Sequence, residues 1–415
     1  MSLLQFQAAI GLALLCLLAW ACGGFRRGVR PRVLAAGLLG QLLLAGALLH
    51  IPPLRAGFAL LGDTVEALAR ATRAGTSLVF GYLGGAPLPF AETTPGASFI
   101  LFFQALPLVL VVGALSAVLY HWRLLPLVVD GLAAGLRRLF GLSGACTLSV
   151  AANVFVGMVE APLLIRPWLA GLSRAELFTT MVAGLATISG NMLVVYASMI
   201  APVVPDAAGQ LLTASLVSAP AAILAALLMI PEERAPAAAA VEGPMPRLHD
   251  STMDALVRGT ADGLQLLLGI MASLIVFVAL VALANGVLEP LIGLTLQGIA
   301  GVVFWPLAWA MGVPVEDCAA VARSLGIKVV VNEFVSYLDL ASGGGAGLAE
   351  RSRLILTYAL CGFTNFASVG IMVTGMAALC PERRAEISAL GLPSLVAASI
   401  ACCMAGATVG VLTPP

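Results

Sequence analysis

The sequence predicts an all-α polytopic membrane protein of about eight transmembrane helices, with two opposed re-entrant hairpins and several interfacial helices. Three observations carry that prediction. Hydrophobic residues make up 60% of the 415, charged residues only 10%, and mean hydropathy is +1.04; a soluble domain carries about 25% charged residues, so lipid is the solvent this chain is built for. Apolar runs long enough to cross a bilayer, about 20 residues each, recur from end to end, and the length allows roughly eight to ten of them. Two regions break the pattern with glutamates and helix breakers inside otherwise apolar sequence. The formal net charge of zero argues against a nucleic-acid partner.

In chain order, span 1 covers Leu4–Cys22 and stops at the basic run FRRGVRPR. It lacks the basic n-region of a secretory signal and is long enough to span, so it reads as a retained helix. Span 2 covers Val33–Ile51 and ends at Pro52-Pro53. Arg55–Thr72 alternates apolar and charged positions at helical spacing and reads as a helix lying on the interface. The Gly/Pro-rich GYLGGAPLPFAETTPG is a loop. Span 3 is Ser98–Tyr120, and HWRLLPLVVDGLAAGLRRLFGLSG reads as a second surface helix. Ala145–Leu172, cut by Pro162 and Pro167, is the first hairpin. Span 4, Ala175–Ile200, opens with Ser173 as N-cap and Glu176 in capping-box position. Span 5 is Ala208–Ile230, followed by PEERAPAAAAVEGPMPRLHD as a solvent loop. Span 6, Leu264–Leu288, has an amphipathic lead-in, and a third interfacial region runs through Gly301–Met311. Asp317–Leu340 is the second hairpin and contains the only lysine, Lys328. Span 7, Leu354–Leu379, is interrupted by CGFTNFAS, and span 8 is Ile387–Val411.

Basic residues orient this arrangement, because cytoplasmic loops carry the excess. With the span 1–2 loop inside and both hairpins returning to their own side, fourteen basic residues fall inside and seven outside or in the second hairpin. Both termini are then extracytoplasmic.

The two irregular regions share a design. Each is a broken hairpin with a glutamate, Glu160 or Glu333, followed by a helix interrupted by small polar residues, ATISGN or FTNFAS. An ionised side chain within the bilayer costs at least a few kcal/mol and marks a pathway by default. Irregular backbone survives at that depth only where it lines a cavity or is buried in protein. Paired, inverted, discontinuous elements point to a transporter with its site near the midplane. Freed carbonyls suit a hard cation such as Na⁺, and amides and carboxylates suit a polar solute.

At these residues the chain resembles the concentrative nucleoside transporter family. The resemblance rests on GMVEAPLLIRP at Gly157–Pro167, SRAELF at Ser173–Phe178, GLATISG at Gly184–Gly190, G-x-K-x-x-x-N-E-F-V at Gly326–Val335 and ALCGFTNFAS at Ala359–Ser368, in order over nearly the whole chain from Arg55 onward. It implies secondary active uptake of nucleosides, usually by symport with Na⁺ and in some bacterial members with H⁺. It also implies a homotrimer in the bacterial inner membrane, with a scaffold part and a transport part that moves like an elevator. The scaffold would comprise residues 1–142 and 231–312. The transport part would comprise 143–230, with the first hairpin and spans 4 and 5, and 313–415, with the second hairpin and spans 7 and 8. Carried over residue by residue, the resemblance assigns Glu160, Glu333, Phe363, Asn365 and Ser368 to the nucleoside. It assigns Asn153, Val156, Thr187 and Ile188 to Na⁺. Met158 and Val159 stand where the family places polar residues that contact the base, so the ribose half matches the family pattern and the base half departs from it.

Other classes stay open from sequence. The same fold could serve as a non-transporting membrane sensor or interaction module, or as a symporter for a related non-nucleoside solute; Met158 and Val159 favour these. An enzyme needs a nucleophile–base pair or a metal cluster, and neither pattern is present. No cofactor is expected beyond the coupling ion. The eight cysteines form no CxxC and mostly sit in apolar runs, so they read as small core residues. Lys328 reads as a group that steadies the second hairpin against Glu333 or a carbonyl.

Overall fold

A computed structural model describes residues 2–92, 98–232, 248–345 and 347–414. Its described residues form helices α1 (Leu3–Cys22), α2 (Pro31–His50), α3 (Pro52–Phe80), α4 (Leu101–Gln104), α5 (Leu108–His121), α6 (Leu124–Phe140), α7 (Gly144–Asn153), α8 (Glu160–Leu164), α9 (Arg166–Leu169), α10 (Arg174–Ala186), α11 (Gly190–Ile200) and α12 (Ala207–Met229). There follow α13 (Thr252–Ile292), α14 (Leu296–Ala310), α15 (Val315–Val330), α16 (Glu333–Asp339), α17 (Glu350–Leu360), α18 (Phe366–Leu379) and α19 (Arg384–Leu412). Among the described residues, seven helices or helix pairs are long and apolar enough to cross a membrane: α1, α2, α4–α5, α10–α11, α12, α13 and the stretch ending in α19. The remaining expected span is α17–α18, whose halves are separated by Cys361–Asn365. Most of the predicted solvent loop after span 5, including Arg234 and Arg247, and the end of the Gly/Pro-rich loop before span 3 lie outside the described residues.

Two elements differ from expectation in extent. The interfacial helix α3 runs on to Phe80, and the lead-in to span 6 is continuous with it. The resulting α13 has 41 residues, about 60 Å at 1.5 Å per residue, twice the hydrocarbon thickness. Its register explains the continuity: Ala255, Gly259, Gly263 and Leu267 recur every four residues and are the buried face of its first half. They lie on α5 at backbone distance. A Cβ added at Gly259 would stand 2.7 Å from Gly113 O and from Ala117 Cβ, and one at Gly113 would stand 3.0 Å from Gly259 O. Small residues at every fourth position allow this approach, the usual device for holding membrane helices together.

The centre of the bundle is α10, α12 and the C-terminal half of α19: nearly every residue of α10 and α12 is buried, as is nearly all of α19 from Ala397 to Gly410. Capping ties the first hairpin to it. Ser173 Oγ accepts from Glu176 N at 3.0 Å and Glu176 Oε2 accepts from Ser173 N at 3.3 Å, the capping box the sequence predicts. The other carboxylate oxygen, Oε1, accepts from Ser143 N at 2.8 Å, at the N-cap of α7. Seven of the eight cysteines are buried, in keeping with a packing role.

Candidate functional site

Both hairpins fold back on themselves. In the first, α7 ends at Asn153, a non-helical turn covers 154–159, and α8 begins at Glu160. In the second, α15 ends at Val330, Val331 and Asn332 leave the helical conformation, and α16 begins at Glu333. Ser336 Oγ on α16 donates to Ser324 O on α15 at 2.7 Å, holding the two legs together. The interrupted spans break by the same local chemistry. Ser189, Asn332 and Asn365 take extended backbone and cap the next helix with their own side chains. The contacts are Ser189 Oγ to Met192 N at 3.4 Å, Asn332 Oδ1 to Val335 N at 2.9 Å and Asn365 Oδ1 to Ser368 N at 2.8 Å. Such capping residues offer the backbone a partner outside the helix, which is why a polar side chain in an apolar span ends one helix and starts another.

These ends meet at a cavity of about 520 Å³, within the range of small-molecule sites. Met158, Val159, Glu160, Glu333, Phe363, Asn365 and Ser368, from three separate segments, all line it. At its centre Glu333, 5% exposed, has each oxygen held. Tyr196 O–H on α11 donates to Oε1 at 2.8 Å, and Asn365 Nδ2 donates to Oε2 at 2.8 Å. A buried carboxylate needs such donors, and each oxygen keeps further acceptor capacity. Glu160 is exposed to the cavity and its carboxylate lies back over Gly157, where an added Cβ would stand 2.0 Å from Oε2. Met158 and Val159 also pack: Met158 Cβ is 3.3 Å from the Cβ position of Gly184, and Val159 Cγ1 is 2.9 Å from that of Gly375 on α18.

Val156 lines the same cavity, while Asn153, Thr187 and Ile188 are buried behind it. Thr187 Oγ1 lies 3.1 Å from Asn153 O and 2.9 Å from Ala183 O, so the first hairpin touches the break in α10–α11. Asn153 Nδ2 donates to Ser149 O at 3.1 Å, whereas Asn153 Oδ1 is buried with no donor. An orphaned amide oxygen beside a helix C-terminus is a group that fits a cation. Among the described residues no cluster of three His, Cys, Asp or Glu offers a metal site.

Two contributions escape the sequence reading. Tyr196 carries no signal, since an aromatic in an apolar span reads as core; only its place seven residues after Ser189, on the same helical face, connects it to the break. The opposite wall comes from α5 and α13, with Ser116, Tyr120, Asp262, Gln265 and Ser273. Ser116 Oγ bonds Asn191 Oδ1 on α11 at 3.1 Å, joining that wall to the broken span.

An apolar helical bundle with a centrally placed cavity, lined by broken helices and carrying a few convergent polar groups, is the architecture of a secondary membrane transporter. Family models described as the N-terminus and the C-terminus of Na⁺-dependent nucleoside transporters match residues 10–83 and 210–410, and one described as nucleoside recognition matches 102–203. An uncharacterised transporter of Haemophilus influenzae is 33% identical over 97% of both chains. The nucleoside permease NupC of Helicobacter pylori is 30% identical over 97% of this chain and 96% of its own. The structure of CNTnw in an inward-facing, substrate-bound state superposes with a TM-score of 0.91 at 31% identity, covering all of both chains. The chain belongs to the concentrative, Na⁺-dependent nucleoside transporter family, and its relatives are transporters rather than enzymes.

Proposed function

We propose that the protein is a nucleoside symporter of the bacterial inner membrane, driven by Na⁺. The observation that carries this is the Glu333 carboxylate, fixed between Tyr196 and Asn365 at the meeting point of the second hairpin and two broken spans. A carboxylate and an amide side by side supply the acceptors and donors that a vicinal diol needs, so Glu333, Asn365 and Ser368 would hold the ribose, with Phe363 against the ring system. Glu160 would reach the solute from the first hairpin, while Met158 and Val159 would face the base with apolar surface. Base discrimination would then come from shape and from Glu160.

The coupling ion would sit between the first hairpin and the α10–α11 break, on the side-chain oxygens of Asn153 and Thr187 and the carbonyls of Val156 and Ile188. Its support is the orphaned Asn153 Oδ1. Occupation there would tie hairpin to break and so set the wall of the solute pocket, coupling ion to solute. The transport part would be 143–230 and 313–415, sliding as an elevator against a scaffold of 1–142 and 231–312 within a homotrimer, both termini outside. Variants of CNTnw are also solved outward-facing, with a TM-score of 0.88, which supports alternating access for the shared fold. Uptake of a panel of labelled nucleosides, nucleobases and ribosides into proteoliposomes, under imposed Na⁺ or H⁺ gradients, tests the reading. Accumulation of nucleosides only with inward Na⁺ supports it. Accumulation driven by H⁺ alone replaces the ion, and ligand binding without accumulation under either gradient favours a sensor.

A further inference from the structure

The function above leaves a buried lysine beside the site unused. Lys328 is the only lysine in the chain and is 1% exposed. It sits in the last turn of α15, and Nζ donates to Ala359 O at 2.7 Å, in the last turn of α17. Its charge is therefore placed at the C-terminal end of α17, immediately before the break at Cys361–Asn365. Taking an ammonium out of water costs several kcal/mol. A neutral side chain could cap one carbonyl with far less desolvation, so the position calls for positive charge.

The reason lies in how the two broken spans meet. A Cβ added at Gly362 would stand 2.9 Å from both Leu185 O and Ala186 O. Cys402 Sγ lies 3.7 Å from Ala186 O and 3.3 Å from Cys361 O. Helices α10 and α17 thus approach C-terminus to C-terminus, and each such end carries about half a negative charge. Two like half-charges face each other in the apolar centre, with Glu160 and Glu333 in the adjoining cavity. At α17 the chain supplies the cation itself. At α10 it supplies none and adds an orphaned acceptor, Asn153 Oδ1.

We infer that Lys328 is the resident cation of the second half, the fixed counterpart of the single ion that the first half takes from solution. The chain then binds one coupling ion per nucleoside. This rests on the Na⁺ reading given above. Without the ammonium, the second half would hold the makings of an ion site: Ala359 O, and the buried, partnerless hydroxyls of Ser324, one turn from Lys328 on α15, and Thr364 in the break.

Equilibrium binding of ²²Na⁺ to the purified full-length protein tests the inference without requiring transport. The wild type is expected to bind one Na⁺ per chain, Asn153→Ala none, and Lys328→Ser two, with a steeper Na⁺ dependence of thermal stability. Two ions on the wild type overturn the inference, as does a folded Lys328→Ser that gains none. Should Lys328→Ser fold only at high Na⁺, the inference stands; failure to fold at any Na⁺ concentration counts against it. If the wild type binds no Na⁺, or Asn153→Ala keeps its ion, the Na⁺ reading of the first half fails. The gain of one ion by Lys328→Ser, or its absence, then still decides the role of Lys328.

Discussion

Replacing Tyr196 by Phe removes one hydroxyl from the centre of the site and leaves the ring, which packs at a tilt of 32° on Tyr337 with centroids 4.7 Å apart. The bond lost is a 2.8 Å donation to a buried carboxylate, and a hydrogen bond to a charged group contributes about 1.5–3 kcal/mol. Most of that bond exists with or without solute, so it should appear in stability. Affinity should fall by a smaller amount, because the solute must now immobilise a carboxylate that Tyr196 no longer orients. Ordering one side chain costs about 0.5–1.5 kcal/mol, or roughly 2- to 12-fold in Kd. The assays are thermal unfolding in detergent and equilibrium binding of labelled uridine. A Glu333→Gln background isolates the charge: there the stability loss from Tyr196→Phe should shrink to about 0.5–1.5 kcal/mol, the value for a neutral hydrogen bond. An equal loss in both backgrounds, or unchanged uridine affinity in the single variant, would refute the orienting role and leave Tyr196 as packing.

Three further outcomes are expected. Glu333→Gln or Asn365→Ala should abolish uridine and adenosine uptake in proteoliposomes while the protein remains folded and monodisperse, the Asn365 change costing about 1 kcal/mol through its lost cap; normal transport by both would remove them from the site. Gly362→Ala should lower the melting temperature strongly, because its φ of +151° excludes a side chain and the new Cβ would lie 2.7 Å from Cys402 Sγ and 2.9 Å from two carbonyl oxygens; a clash of this kind costs about 1–3 kcal/mol before the backbone is counted. Val159→Thr, which keeps the shape that packs on Gly375, should alter the ratio of uridine to adenosine affinity by about 3- to 10-fold, on the order of 1 kcal/mol. An unchanged ratio would mean that position 159 does not face the base.

Much of this molecule is legible in its sequence because lipid leaves few choices. Apolar length fixes spans such as α1 and α12 to within two residues, and Ser173 with Glu176 marks the start of α10. The broken elements are legible for the same reason, since Asn332, Glu333 and Asn365 have no business in lipid unless they face a cavity. What escapes is pairing across the bundle. Glu333 and Tyr196 are 137 residues apart, and no local pattern says that an apolar-looking tyrosine will spend its hydroxyl on that carboxylate. The continuity of α13 was masked differently. Its first half carries Asp254, Arg258 and Asp262, so polarity marks it only as an amphipathic lead-in to span 6, whereas the four-residue spacing of Ala255, Gly259, Gly263 and Leu267 keeps the helix going against α5.

That glycine seam has a mechanical consequence. Gly113, Gly259, Gly263 and Gly269 all contribute to the cavity wall facing the hairpins. Where two helices touch through backbone, they hold together as one unit, and the side chains of the wall, Tyr120, Asp262 and Gln265 among them, project from a fixed base. In the elevator motion proposed above, the transport part would meet a wall whose own two helices do not shift against each other. The close crossing of α5 and α13 would then stiffen the side of the cavity that stays still, so that the movement of its partner is not lost in bending the wall.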